Sequence, residues 1–99
     1  MRQITENAYN AFNSKKRFKL NNTEVRIKDD VTYLILHGNK IVKKDELGIH
    51  ICNGGWNSVT TRERLSPFVN RIRKCKDSII IEEKIKLTRK WINLNDLIE

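Results

Sequence analysis

Residues 33–65 read YLILHGNKIVKKDELGIHICNGGWNSVTTRERL, and this stretch decides the fold. A β-branched and aromatic run over 31–36 is followed by Gly38-Asn39 and then by Ile41-Val42. Glycine and asparagine tolerate the positive φ angles of a two-residue turn, so the pattern predicts a hairpin whose turn is Gly38-Asn39. Alternation over 49–52 predicts a third strand. We therefore expect an antiparallel meander.

The second half of the stretch predicts a helix start. Asn53-Gly54-Gly55 ends the third strand, because consecutive glycines weaken a strand and favour a turn. Thr60 is followed three residues later by Glu63, the spacing of a capping box in which each side chain bonds the other residue's amide. A short helix over about residues 61–68 is expected.

Outward from this stretch, the pattern predicts elements on both sides. Ile4, Ala8, Ala11 and Phe12 lie at the spacing of one helix face, which indicates a helix over about 2–13. The remaining predictions are a strand over 18–27, a turn at 29–30, a basic strand over 69–73, strand segments at 79–81 and 85–87, and a helical turn near the end. The expected fold class is a small α+β domain comprising residues 1–99, with a loose tail at about 92–99.

Length and composition favour a binding protein over an enzyme. A chain of 99 residues forms one domain and has little surface to spare for a buried active-site cleft. The start of the chain, Met1 to Glu6, has no apolar signal core, and no apolar run is long enough to span a bilayer. We expect a cytoplasmic, non-enzymatic protein with no membrane partner.

The formal charge of +8 is unevenly distributed. Residues 1–76 hold 16 Lys or Arg against 7 Asp or Glu, whereas residues 77–99 hold 4 against 5. Such clusters attract phosphate groups or an acidic protein surface. The alternative is an ordinary solvated surface from a codon usage that favours lysine. The clusters are Lys15, Lys16, Arg17 and Lys19, then Lys40, Lys43 and Lys44, then Arg71, Arg73, Lys74 and Lys76.

Cysteine and histidine give no strong chemical signature. His37, His50, Cys52 and Cys75 lack the closely paired spacing of small zinc modules. Cys52 with His50 would lack a third orienting group for nucleophilic catalysis, and His37 at a hairpin more often bonds its own turn than acts as a base. We expect two free thiols, with Cys52 the buried one, and no metal, cofactor or catalytic residue.

Trp56 and the threonines that follow it are candidate contacts with a partner. Trp56 either closes the core, as large aromatic residues usually do, or is an exposed anchor beside Arg62 and Arg64. The helix start at Thr60 could place backbone amides on a phosphate in addition to capping the helix.

Several separated motifs also resemble a family of small proteins from bacteriophage and prophage genomes. These are Leu36 to Ile41, Gly55-Trp56 and Thr60 to Leu65, preceded by Asn22 to Val25. The resemblance extends over about residues 3–73. The C-terminal part departs from the family, which usually has an aromatic strand and an asparagine-glycine turn before its final tryptophan.

The resemblance implies a small phage accessory protein. Such proteins typically bind host machinery, so our first hypothesis is an anti-defence protein, similar to anti-CRISPR inhibitors, that binds a host protein or ribonucleoprotein complex. The second is a regulatory module that binds nucleic acid directly through its basic clusters. Salt dependence separates the two, because phosphate binding weakens steeply as salt rises.

Overall fold

The computed structural model describes residues 3–97 and is an α+β fold. Helix α1 is Gln3–Asn13 and helix α2 is Val59–Leu65, and 3₁₀ turns comprise Ser66–Phe68 and Leu94–Leu97. The strands are β1 Phe18–Leu20, β2 Thr23–Lys28, β3 Val31–Leu36, β4 Asn39–Asp45, β5 Gly48–Ile51, β6 Ile72–Cys75, β7 Ser78–Ile81, β8 Ile85–Lys86 and β9 Ile92–Asn93. The predicted fold class is confirmed. Between residues 3 and 97, no helix is long and apolar enough to cross a bilayer.

The strands form two antiparallel sheets. One has six strands in the order β1-β2-β3-β4-β5-β9, and the other has three in the order β6-β7-β8. The first five strands follow each other along the chain, so the predicted meander is confirmed and is longer than expected. β9 comes from the far end of the chain and pairs with β5.

Two turns differ from the sequence prediction. The expected single strand over 18–27 is a hairpin, because Asn21 adopts φ +54° and starts a turn between β1 and β2. The β3–β4 turn consists of His37 and Gly38, at φ +51° and +78°, whereas Asn39 already pairs with Leu36. The predicted Gly38-Asn39 turn was therefore wrong by one residue.

The start of α2 also differs from the prediction. Ser58, not Thr60, caps the helix, and its side chain accepts a hydrogen bond of 3.1 Å from the Thr61 amide. The Glu63 carboxylate accepts from the Thr5 hydroxyl in α1, at 3.1 Å. The capping box was wrong because Ser58 supplies an earlier cap and Glu63 bonds across to the other helix.

The core lies on one face of the six-stranded sheet. α1 buries Thr5, Ala8 and Phe12 there, and the second sheet adds apolar side chains to the same core. Phe68 packs edge-on against both Tyr9 and Phe12, with ring centroids about 5 Å apart. The buried residues that form this core cluster are Ala8, Phe12, Val25, Leu34, Leu36, Ile41, Val42, Ile51, Leu65, Ile79, Ile81 and Leu87.

Arg64 lies inside this core. Its side chain is almost fully buried, with 2% of the residue exposed. Its Nε donates to the Thr23 hydroxyl at 2.9 Å, and its Nη1 donates to the Thr5 hydroxyl at 2.8 Å. The guanidinium thereby joins α1, β2 and α2. The candidate partner contact at Arg64 was wrong, because burial removes this charge from any surface.

Candidate nucleic-acid interface

The six-stranded sheet has an outer face that is opposite to the helices. Val25, Leu34 and Val42 point into the core with α1. Successive strand residues point to opposite faces, so the residues between them form the other side of the sheet. This outer face comprises Lys19, Glu24, Arg26, Lys28, Val31, Tyr33, Ile35, Lys40, Lys43, Asp45, His50 and Asn93.

Part of the outer face is a row that runs straight across the strands. Arg26 pairs with Tyr33, Tyr33 with Lys43, Lys43 with His50, and His50 with Asn93. Neighbouring strands are about 4.8 Å apart, so the row is about 19 Å long. The meander therefore brings together residues that are far apart in the sequence.

A lysine ammonium lies over each of two aromatic rings on the outer face. Lys40 Nζ lies 4.4 Å from the centroid of the Tyr33 ring, and Lys43 Nζ lies 5.0 Å from the centroid of the Trp91 ring. These are cation–π distances, at which the negative ring face attracts the cation. Trp91 precedes Ile92, whose partner Ile51 is in the core, so Trp91 is on the same side as the row.

The positive charges outnumber the carboxylates on this face. Five cations, Lys19, Arg26, Lys28, Lys40 and Lys43, share it with two carboxylates, Glu24 and Asp45. Each carboxylate has a partner: Glu24 accepts from Arg26 at 2.9 Å, and Asp45 lies 3.1 Å from His50 Nε2. The net field therefore favours an anionic ligand.

Asp45 stays ionised at this position. The amide of Leu47 donates to its carboxylate at 2.9 Å, and this bond together with His50 holds the pKa of Asp45 below its usual value. The charge that neighbours Lys43 is thus fixed at neutral pH, and it lies two residues along β4 from Lys43, beside the middle of the row.

The outer face continues into a basic groove at the edge of the sheet. β1 pairs with only the first half of β2, so Arg26 to Lys28 have no partner strand on that side among residues 3–97. Arg17, Lys19, Arg26 and Lys28 surround this gap of about 550 Å³. Arg26 and Lys28 were missed because they do not cluster in sequence. Their alternation with Val25 and Ile27 was the signal that could have identified them.

The predicted basic clusters are divided by the fold. Lys15 and Lys44 lie beside a hollow of about 470 Å³ that also holds carboxylates from the β2–β3 and β4–β5 turns. Those acids reduce the local positive field, whereas Arg17 and Lys19 lie beside the basic groove. Lys16 is exposed beyond the end of α1. The carboxylates in the hollow are Asp29, Asp30, Asp45 and Glu46.

The third predicted cluster belongs to the other sheet. Arg73 pairs with Glu83 at 3.3 Å, and Lys74 Nζ donates to the Lys76 carbonyl at 2.7 Å. The Arg71 amide donates to a carboxylate oxygen of Glu82 at 2.8 Å, while its side chain is exposed. This cluster is therefore separate from the outer face.

A second candidate site lies on the helix side of the sheet. The sides of this hairpin–tryptophan groove, about 500 Å³ in volume, come from the β3–β4 turn, Trp56 and the start of α2. The three motifs of the family resemblance thus meet at one place. The lining residues are Leu36, His37, Asn39, Ile41, Trp56, Ser58, Thr60 and Thr61.

Trp56 is exposed rather than buried in the core. Its exposed fraction is 66%, so of the two placements that the sequence left open, the exposed one is observed and the more usual core placement is not. The Asn53 side chain accepts from the Gly55 amide at 2.7 Å, and Gly54 and Gly55 have positive φ angles. This tight turn directs the ring away from the core. Arg62 in α2 is half-buried, and its Nε has no hydrogen-bond partner in the described structure.

The histidines and cysteines have structural partners. His37 Nε2 lies 3.3 Å from the side-chain nitrogen Nδ2 of Asn22 in the neighbouring turn. Cys52 is buried as expected, its Sγ donates to the Lys40 carbonyl at 3.3 Å, and burial raises its pKa. Cys75 is exposed, and both are free thiols. Within residues 3–97, no three His, Cys, Asp or Glu side chains are grouped so that they could hold a metal ion.

Comparison with known proteins supplies the biological context. The model of one protein family, described as Kyanoviridae Gp96 protein, matches residues 1–95. No curated protein and no solved structure matches this chain.

Proposed function

We propose that this chain, which belongs to the Kyanoviridae Gp96 family of phage proteins, has a non-enzymatic role. It binds nucleic acid through the outer face of its six-stranded sheet. One observation carries the proposal: five cations and two aromatic rings share a sheet face on which neither helix packs. Phosphate groups and bases are the ligands that this combination suits.

The charges on the outer face support contact with a phosphate backbone. Lys40 and Lys43 hold their ammonium groups at ring faces rather than in ion pairs with carboxylates. A lysine side chain is long and flexible, so its ammonium can move from a ring to a phosphate at small cost. Glu24 and Asp45 are occupied by Arg26 and His50, which limits their repulsion of an anion.

A charge-reversal experiment tests this proposal. The double variant Lys40→Glu/Lys43→Glu is compared with Lys84→Glu/Lys86→Glu, which changes net charge equally but alters the β7–β8 turn and β8 of the other sheet. Binding of a fluorescent oligonucleotide is followed by anisotropy across a salt series. We expect the first variant to lose affinity at least tenfold and to show a shallower salt dependence. The second should retain most of its affinity. Equal losses in both would contradict the proposal.

A second candidate function rests on Trp56. An exposed tryptophan at the rim of an apolar groove is typical of a protein-binding hot spot. The corresponding role is the anti-defence one, in which the protein binds a host complex that handles nucleic acid and inhibits or redirects it.

Capture from a host lysate with and without nuclease tests the second candidate. The Trp56→Ala variant is compared with Leu47→Ala, since Leu47 is also 66% exposed but lies in the β4–β5 turn. The anti-defence role predicts a nuclease-resistant partner that Trp56→Ala loses and Leu47→Ala keeps. Loss of every partner on nuclease treatment would leave direct nucleic-acid binding as the better account.

A further inference from the structure

The geometry of the outer face points to single-stranded nucleic acid as the ligand, and we propose that bases stack on Tyr33 and Trp91. This inference rests on the proposed nucleic-acid binding and adds the class of strand and the residues that select it. The bound strand crosses the β-strands along the row from Arg26 to Asn93.

The order of residues along the row suits a single strand. Arg26 is followed by Tyr33, Lys43, His50 and Asn93. Trp91 lies beside this row, with its ring centroid 5.0 Å from Lys43 Nζ. A length of about 19 Å accommodates several nucleotides. Alternating aromatic and basic side chains provide stacking surfaces for bases and counter-charges for the phosphates between them.

A base gains access to each ring by displacing the lysine ammonium that covers it. Each ring is half-buried, so its position is held by the sheet while one face is covered by an ammonium. An incoming base displaces that ammonium, and Lys40 or Lys43 then moves to the adjacent phosphate. Base stacking and a charge-assisted hydrogen bond to the phosphate thereby replace the cation–π interaction.

Duplex DNA does not suit this surface. In a duplex the bases are paired and stacked, so they present only their edges in the grooves, and a helix or narrow ribbon is what enters the major groove. The outer face is a broad sheet of at least five strands. A duplex would touch its lysines but leave both rings without a base.

The test uses variants that remove only the rings. Tyr33→Leu and Trp91→Leu keep an apolar side chain, Tyr33→Phe keeps the ring, and Trp56→Leu removes an exposed ring outside the row. Anisotropy measures binding of oligo(dT) and oligo(U) of about 15 nucleotides, of a duplex of equal length and of heparin. Circular dichroism melting confirms that each variant is folded.

We expect Tyr33→Leu and Trp91→Leu each to weaken single-strand binding about tenfold, with duplex and heparin binding changed less than twofold. Tyr33→Phe and Trp56→Leu should bind like the wild type. Single-strand binding that survives both leucine substitutions would overturn the inference, as would tighter binding of the duplex by the wild type. If those ring variants bind normally while Lys40→Glu/Lys43→Glu does not, nucleic-acid binding stands and base stacking fails. If no polyanion binds, both proposals fail.

Discussion

Arg64 carries its charge inside the protein, where the guanidinium links two helices and a strand. Replacement by Met keeps the length of the side chain but removes the donors to Thr5 and Thr23. Each hydroxyl then loses a buried hydrogen bond, which costs about 2 kcal/mol of unfolding free energy in total. Urea denaturation measures the change, and Arg71→Met at an exposed site is the control, expected within about 0.5 kcal/mol of wild type. Equal stability of the two variants would contradict a structural role for Arg64.

The two thiols should react at very different rates. Cys52 is buried, and burial raises its pKa, so less of it is thiolate at any given pH. Cys75 is exposed. We expect one thiol per chain to react rapidly with a disulfide reagent in the native state and two to react in denaturant. The Cys75→Ser variant should show almost no rapid reaction, and rapid reaction of that variant would place Cys52 at the surface.

At the scale of elements, the cap of α2 distinguishes the observed helix start from the one expected from sequence. Ser58→Ala removes the acceptor for the Thr61 amide and should cost about 1 kcal/mol of stability. Thr60→Ala should cost much less, because Thr60 lies one residue inside the helix. Chemical denaturation of both variants measures the difference. A larger loss of stability for Thr60→Ala than for Ser58→Ala would instead support the capping box at Thr60.

The run of β-branched and aromatic residues over 31–36 was an element that the sequence could predict. Val31–Leu36 alternates buried and half-buried side chains before its last residues, and its strand was predicted with the bounds observed. The adjacent turn was misplaced by one residue because both His37-Gly38 and Gly38-Asn39 suit positive φ angles. Burial decides between these two turns. The pairing of β3 with β4 shifts register between Leu34 and Ile35, and this bulge allows the consecutive residues Ile41 and Val42 both to be buried.

At the scale of the whole molecule, the two candidate sites face in different directions. The outer face of the sheet is basic, whereas the hairpin–tryptophan groove lies on the helix side and includes apolar side chains. The two proposed functions therefore use separate surfaces and do not exclude each other.

The location of these surfaces could be predicted only in part. Clusters of basic residues close together in the sequence identified Lys19, Lys40 and Lys43, but Arg26 reaches the same face only through the register of β2, β3 and β4. Trp56 could not be placed, because a tryptophan after a glycine turn fits either a core or a surface and the decision depends on how Asn53 closes that turn. Long-range register and local turn closure are therefore what sequence patterns leave open.

Fluorescence of single-tryptophan proteins tests whether a base stacks on Trp91. Trp56→Phe leaves Trp91 on the outer face as the reporter, and Trp91→Phe leaves Trp56 at the groove. Each protein is titrated at low salt with single-stranded DNA of about 15 nucleotides. We expect the emission of Trp91 to be strongly quenched, because a base stacks on its ring, and the emission of Trp56 to be unchanged. Quenching of Trp56 with no change at Trp91 would contradict base stacking on Trp91.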